Sequence, residues 1–442
     1  MGETPMPRLK MSELIDRALA HATDTKRVVL RAGASDDADK VYRELFGDRK
    51  AIVVADKDTW RVQGERVHGA LERLAVEPFV FRDEALYAEH RFVERLEAHL
   101  KTVNAIPVSV GSGTINDLVK LAAHRVGRPY LCVATAASMD GYTAFGASIT
   151  SEGSKQTFSC PAPRGVVADL DFIARAPASL GASGYADLLA KVTAGADWIL
   201  ADALGVEALD PLCWELVQKP LRASLSDPRG VARGDPRAIE LLMEGLLMGG
   251  FAMQAHQSSR PASGAEHQFS HLWDMEHATD ASHGFKVGIA TLAVTQAYEA
   301  LLEMPIEKLS VERAAAGWPS LEEIHRDIAR LYETEEVAAK ARQEAAAKYV
   351  DQRALTEQLQ RLVEAWPALK EKLRGQLILF DEVRRMLNDA GAPTRSREIG
   401  ISDTQLRASF RKALHIRRRF TLLDLADRCG ILERVADNVA LD

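Results

Sequence analysis

The sequence predicts an α/β first part, built as a doubly wound parallel sheet, followed by an all-α second part. Three observations predict it. Up to about residue 175, short β-branched runs alternate with longer segments of helical period. A glycine turn, Gly111-Ser112-Gly113, lies directly between one such run and the next helical segment. Beyond Asp169-Leu170-Asp171 strand signals nearly vanish and amphipathic helical pattern takes over. The boundary is drawn between residues 1–175 and 176–442.

Five runs read as strands: Arg27 to Arg31, Ala51 to Ala55, Pro78 to Phe81, Ile106 to Val110 and Tyr130 to Ala134. Asp36 to Phe46, Thr59 to Leu74, Tyr87 to Val103 and Asn116 to Val126 read as the helices between them. In such a sheet, ligands gather at the carboxyl ends of the strands. In the second part, Ala194 to Leu204 and Ile239 to Ala255 carry helical pattern. Asp227-Pro228-Arg229-Gly230 and Trp318-Pro319 read as loops, and Leu321 to Tyr349 reads as one long helix. The helices after about residue 320 either cover the cleft, pair subunits into a homo-oligomer, or merely pack.

The 442 residues suffice for two or three domains with a substantial core. Gly (29) and Pro (17) fall far below the roughly 25% that marks low complexity. The balance of 56 Lys and Arg against 63 Asp and Glu leaves no basic excess to neutralise a nucleic-acid backbone. Cys132, Cys160, Cys213 and Cys429 form no C-x-x-C pair, which argues against a disulfide framework or cysteine cluster and fits a reducing cytoplasm. The N-terminus does not read as a secretory signal. The most apolar stretch, Leu241 to Ala255, carries Glu244 and falls short of the ~20 residues of a membrane span.

Two glycines in Val110-Gly111-Ser112-Gly113-Thr114-Ile115-Asn116-Asp117 let backbone NH groups approach a pyrophosphate at a helix N-terminus, and an ordinary βα turn reads the same way. Asp56, at a strand end, suits the ribose hydroxyls of a dinucleotide, which favours NAD over NADP, or a helix cap; Lys57 beside it would offset a 2′-phosphate. Thr135-Ala136-Ala137-Ser138 follows another strand, and Asp140-Gly141 is either a substrate-orienting acid or a turn.

The second part carries a stronger constellation. His267 and His271 are four apart, on one helix face, and His283 follows before Gly284. Two imidazoles and a carboxylate would hold one divalent ion and leave positions open for substrate. Asp187 suits the carboxylate because it lies in an apolar helical stretch, although Lys191 could equally be its ion-pair partner. Spacing alone leaves His277 open as a ligand.

Together, Gly111 to Asp117, Thr135 to Gly141, Asp187-Leu188-Leu189-Ala190-Lys191, Ser263-Gly264-Ala265-Glu266-His267 and His283-Gly284 resemble the sn-glycerol-1-phosphate dehydrogenase family, within the metal-dependent polyol dehydrogenases of dehydroquinate-synthase-like fold. The resemblance covers roughly residues 25 to 300, with a weaker echo at Gly391-Ala392-Pro393 and Ile416 to Thr421. It implies that Asp187, His267 and His283 bind the metal and that Asp140 and His271 face the substrate as catalytic residues. It also implies NAD or NADP contacts from Asp56, from Gly113, Thr114, Ile115, Asn116 and Asp117, and from Thr135, Ala136, Ala137 and Ser138.

The implied ion is zinc foremost, with nickel or iron as alternatives. Two positions depart from the family pattern: Ala186 stands where glycine is usual, and Ala144 where a small hydroxyl residue is frequent. Lys191 occupies the place of a fourth, histidine ligand in similar iron-dependent alcohol dehydrogenases, so three protein ligands are expected. The implied reaction is reversible NAD(P)-dependent reduction of dihydroxyacetone phosphate, a phosphorylated triose, to sn-glycerol 1-phosphate, a reaction of phospholipid metabolism. Other readings are a glycerol or other polyol dehydrogenase, a dehydroquinate-synthase-like carbocycle lyase, and a non-catalytic metabolite- or metal-binding protein.

Overall fold

The computed structural model describes residues 11–151 and 154–441. Strands β1 (Arg27–Arg31), β2 (Ala51–Asp56), β3 (Phe79–Phe81), β4 (Ile106–Gly111) and β5 (Leu131–Ala134) form where the β-branched runs predict them. After β5 come a hairpin, β6 (Ala147–Ser151) and β7 (Ser154–Phe158), and a strand, β8 (Gly165–Asp169), none of them expected. The parallel sheet therefore has six strands, in the order β1-β8-β5-β4-β2-β3.

Alternation along the strands covers both faces of the sheet. Val28, Ile52, Val54, Cys132 and Val166 enter the large core shared with the helical part, while Val29, Val53, Val108, Val133 and Val167 pack a smaller core on the opposite face. Strand β8 is wholly buried between β1 and β5. Its last residue, Asp169, accepts hydrogen bonds from the Gly33 and Ser35 amides at 3.0 and 2.9 Å, closing the turn after β1.

The crossover helices include α1 (Ala38–Phe46), α2 (His90–Thr102) and α3 (Gly113–Arg125). Helix α3 starts three residues before the expected Asn116, at the glycine turn itself, with Ser112 as its N-cap. The expected Thr59 to Leu74 helix runs instead over 57–70, with a wide-turned stretch at Trp60–Gly64.

Among the described residues, the chain after Asp169 is helical and has no strand. Around the site lie α4 (Ala178–Leu189), α5 (Lys191–Ala203), α6 (Pro236–His256), α7 (Ala265–Met275) and α8 (His283–Leu302). Two sequence expectations fail here. Pro228 does not mark a loop but starts a short helix, Pro228–Ala232, capped by Asp227 accepting from the Gly230 amide. The Leu321 to Tyr349 segment is two helices, Leu321–Leu331 and Glu335–Lys348, because Tyr332 turns into the core to donate to the Lys412 carbonyl and Thr334 caps a new start. The apolar stretch around Leu241 belongs to α6, which is 21 residues long and therefore long and apolar enough to cross a membrane; 83% of its apolar window is buried inside the protein, as in a core helix. The four cysteines are free and buried.

Two glycines set the spacing of the elements that carry the candidate site. A Cβ on Gly184 of α4 would lie 1.9 Å from the Ala137 carbonyl oxygen, and one on Gly284 of α8 would lie 1.9 Å from the Ser183 carbonyl oxygen. Neither backbone partner can yield as a side chain does. Gly184→Ala and Gly284→Ala are each expected to lower unfolding free energy by about 1–3 kcal/mol or more in urea titrations. Gly69→Ala, at an exposed helical position with open space around it, is expected to raise it by about 0.5–1 kcal/mol.

Glu244, buried in α6, has its carboxyl pushed up to about 7 by burial, with Glu240 adding to the shift and Arg237 opposing it. A folded-state value above the unfolded 4.5 means that its stabilising contribution is full below 4.5 and is lost as pH rises toward 7. Glu244→Gln removes that loss: its stability relative to the natural chain is expected to rise by about 1.4 kcal/mol per pH unit between about pH 5 and 7, read from urea unfolding across pH.

Candidate active site

The site is built where the carboxyl edge of the sheet meets the start of the helical part. Asp187 stands in the last turn of α4 and is fully buried. His267 lies in the first turn of α7, and His283 is the first residue of α8, held there by Ser282, whose hydroxyl accepts from the Phe285 amide. One potential ligand atom from each of Asp187, His267 and His283 lies within 4.8 Å of the other two. The His267 and His283 rings are 5.4 Å apart, and the His271 ring lies 6.4 Å from each. The four-residue spacing on α7 thus puts His267 and His271 on one face, as expected. His277 is exposed beyond the end of α7 in a left-handed conformation, outside this group.

Asp187 pairs with Lys191, as one of its two readings expects, and also lies beside the two imidazoles. Lys191 Nζ is 2.8 Å from Asp187 Oδ1 and 2.7 Å from Asp140 Oδ2, His267 Nε2 is 3.5 Å from Asp187 Oδ1, and the Asp140 amide donates to Asp187 Oδ2 at 3.1 Å. Burial opposes the Asp187 charge, but Lys191, His267 and His283 outweigh it and hold the carboxyl far below its ordinary range. Asp140 moves the other way: burial and the neighbouring Asp187 charge raise it against the pull of Lys191. Burial lowers the His267 imidazole, while Asp187 and Glu266 more than restore it.

The donor set fits a divalent cation. A carboxylate offers about four lone-pair directions, so the Lys191, His267 and Asp140 contacts leave room at Asp187 for an ion, and two imidazoles complete a three-ligand set. Ala186, where glycine is usual, packs against Gly288 of α8, so the missing space is supplied by the opposite helix. Ala144 packs with Met253 and Ala262.

The residues read as dinucleotide contacts fall into two groups. Gly113 and Thr114 open α3, in the first turn, where a helix provides no carbonyl partners for its amides. Thr135, Ala136, Ala137 and Ser138 follow β5 beside them, with the Thr135 amide on the Gly111 carbonyl at 3.1 Å. The side chains of Ile115 and Asn116 are buried. The Asn116 amide group donates to the Gly141 carbonyl and accepts from Tyr130, and Asp117 accepts from the Ser148 amide. Asp56 at the end of β2 caps the next helix, accepting from the Asp58 and Thr59 amides.

Sequence reasoning missed Lys120 and Glu266. Lys120 is buried and donates to the carbonyls of Gly141, Ala144 and Gly146 at 2.9–3.0 Å, pinning the loop that carries Asp140. Glu266 accepts from His267 Nδ1 at 2.7 Å. Adjacency to His267 was the only signal for Glu266, and a lysine in an apolar helix was the only one for Lys120.

A family profile described as iron-containing alcohol dehydrogenase matches residues 29–177. The glycerol-1-phosphate dehydrogenase [NAD(P)+] of Bacillus subtilis is 34% identical over 63% of this chain and 73% of its own length. The enzyme of that name from Halalkalibacterium halodurans is 29% identical over 86% of this chain and 87% of its own. Among solved structures, glycerol dehydrogenase from Schizosaccharomyces pombe superposes with a TM-score of 0.59 at 17% identity, covering 94% of this chain and 91% of that one. Sulfoacetaldehyde reductase from Bifidobacterium kashiwanohense, in complex with NAD+, gives 0.61 at 15% identity, covering 94% and 96%. These two share the fold. Site geometry, motif order and relatives agree, and the chain belongs to the glycerol-1-phosphate dehydrogenase family.

Proposed function

We propose that this chain catalyses the reversible, NAD(P)-dependent reduction of dihydroxyacetone phosphate to sn-glycerol 1-phosphate, with residues 1–175 holding the dinucleotide and residues 176–442 the metal and substrate. One observation carries the reading: a carboxylate and two imidazoles with donor atoms within 4.8 Å of one another, in a chain of this family. Asp187, His267 and His283 would hold one divalent ion, zinc foremost with nickel or iron as alternatives, whose Lewis acidity polarises the C2 oxygen of the substrate. A nicotinamide dinucleotide held along Gly113 to Asp117 and Thr135 to Ser138 would supply the hydride for C2, or accept it in the reverse direction.

The chain's own groups do the rest. The first-turn amides of α3, at Gly113 and Thr114, bind the anionic pyrophosphate without side-chain charge. Thr135 to Ser138 line the cofactor on the neighbouring strand end, and Asp56 serves the ribose with the oxygen its helix cap leaves over. Lys191 fixes the Asp140 carboxylate, which orients a substrate hydroxyl. His271, with its ring 6.4 Å from those of both ligand histidines, donates the proton that the C2 oxygen needs as hydride arrives. Four buried free thiols suit work in a reducing cytoplasm.

Metal-stripped protein reloaded with single ions is expected to oxidise NADH or NADPH with dihydroxyacetone phosphate, and far more slowly with dihydroxyacetone. Preference for the unphosphorylated ketone would make the protein a polyol dehydrogenase, and absence of net cofactor consumption would leave the lyase reading. His271→Gln is expected to lower kcat by roughly 10²-fold or more while bound metal, measured by mass spectrometry, stays at the natural level. Asp187→Asn is expected to lose both. Equal loss of metal in the two variants would overturn the assignment of His271 to proton transfer.

A further inference from the structure

We propose that Glu266 is a positioning residue of the metal centre, holding the His267 imidazole with its proton on Nδ1 and its Nε2 lone pair toward Asp187. The proposal rests on the ligand set of the preceding section and adds to it the group that orients one ligand. Glu266 is wholly buried, and its Oε1 lies 2.7 Å from His267 Nδ1. An ionised carboxylate only accepts hydrogen bonds, so the ring nitrogen facing it must carry the proton. In a neutral imidazole the other nitrogen is then bare, and His267 Nε2 is the atom 3.5 Å from Asp187 Oδ1.

Glu266 is itself held from three sides. The Gly264 amide donates to Oε1 at 2.6 Å, Thr193 of α5 donates to Oε2 at 2.8 Å, and the residue stands in the first turn of α7, where a negative charge is favoured. Gly264 can approach because it has no side chain: a Cβ there would lie 2.9 Å from Glu266 Oε2 and 2.5 Å from Asp197 Oδ2. A carboxylate fixed in this way behind a ligand histidine sets the ring orientation and raises the basicity of the ligating nitrogen.

Glu266→Gln separates this role from simple capping. The amide oxygen can still accept from Gly264 and His267, and the amide NH2 can face the Thr193 hydroxyl, so the fold is retained while the charge is lost. In chelator competition with zinc, the dissociation constant is expected to rise about 10–100-fold over the natural protein. The unfolding midpoint of the metal-free protein should stay unchanged, and the visible spectrum of the cobalt-substituted variant should shift. Natural affinity and an unshifted cobalt spectrum in the folded variant would overturn the proposal and leave the ligand set standing, whereas a natural protein that binds no metal would overturn both. A measurement on the unmutated chain does not depend on the variant's folding. In zinc-loaded protein labelled with 15N-histidine, His267, assigned by comparison with His267→Gln, is expected to carry its proton on Nδ1. A proton on Nε2 would refute the assignment.

Discussion

The Asp187 carboxylate lies where water does not reach it, with the Lys191 ammonium at 2.8 Å on one oxygen and the Asp140 amide at 3.1 Å on the other. Taking a carboxylate out of water costs several kcal/mol even after relaxation, and each hydrogen bond to a charged group returns about 1.5–3 kcal/mol. No single partner offsets that cost, which is why the Lys191 ammonium and the Asp140 amide converge on one side chain. The lysine is itself shared: the Asp187 and Asp140 carboxyl groups both face its one ammonium, at 2.8 and 2.7 Å.

Convergence on Asp187 demands that three helices and a loop approach more closely than ordinary side chains allow. Gly184 brings α4 onto the Ala137 carbonyl, and Gly284 brings α8 onto the Ser183 carbonyl. On α6, a Cβ at Gly250 would lie 2.2 Å from the Thr143 hydroxyl and 2.7 Å from the Asp140 carbonyl oxygen. Each contact is backbone against a loop or helix that carries a site residue. Charge pairing and close packing are therefore one constraint: lengthening either contact pulls Asp140 or His283 away from Asp187.

How much of this could be read from the chain depended on how local each cause was. Strands β1 to β5 were legible because β-branched residues crowd into short runs, and the imidazoles of α7 because a spacing of four has one meaning on a helix. Asp187 stood out as a charge in an apolar stretch. Strand β8, Gly165-Val166-Val167-Ala168-Asp169, has as many β-branched residues as β1 and still was not read as a strand; it takes its form from β1 and β5, which pair with it on either side. In hairpin β6–β7, rich in Ser and Thr, only β6 alternates, with Ala147 and Ile149 inward over five residues, and β7 carries no such pattern. The break at Tyr332 depends on the carbonyl of Lys412, eighty positions away. Asn116 is instructive in another way: it lies within a motif read as cofactor-binding, yet its side chain ties Tyr130 to the Asp140 loop and so acts on that loop from within.

The loop after β5 joins the two halves of the chemistry. Its first residues, Thr135 to Ser138, lie at the strand edge beside the glycine turn, and its next acid, Asp140, donates its amide to Asp187 and shares Lys191 with it. Lys120 holds the far end of the same loop through three carbonyls, and Thr143 fastens it to α6 at the Leu247 carbonyl. A dinucleotide lying along the strand edge and a cation between Asp187, His267 and His283 would thus be referenced to one short stretch of backbone. Hydride transfer tolerates little error in the separation of donor and acceptor carbons, since a displacement of about 1 Å can cost 10²-fold in rate. Fixing both sites to a loop pinned by a buried lysine and by helix carbonyls limits that error with main-chain contacts, which vary less than side-chain rotamers do.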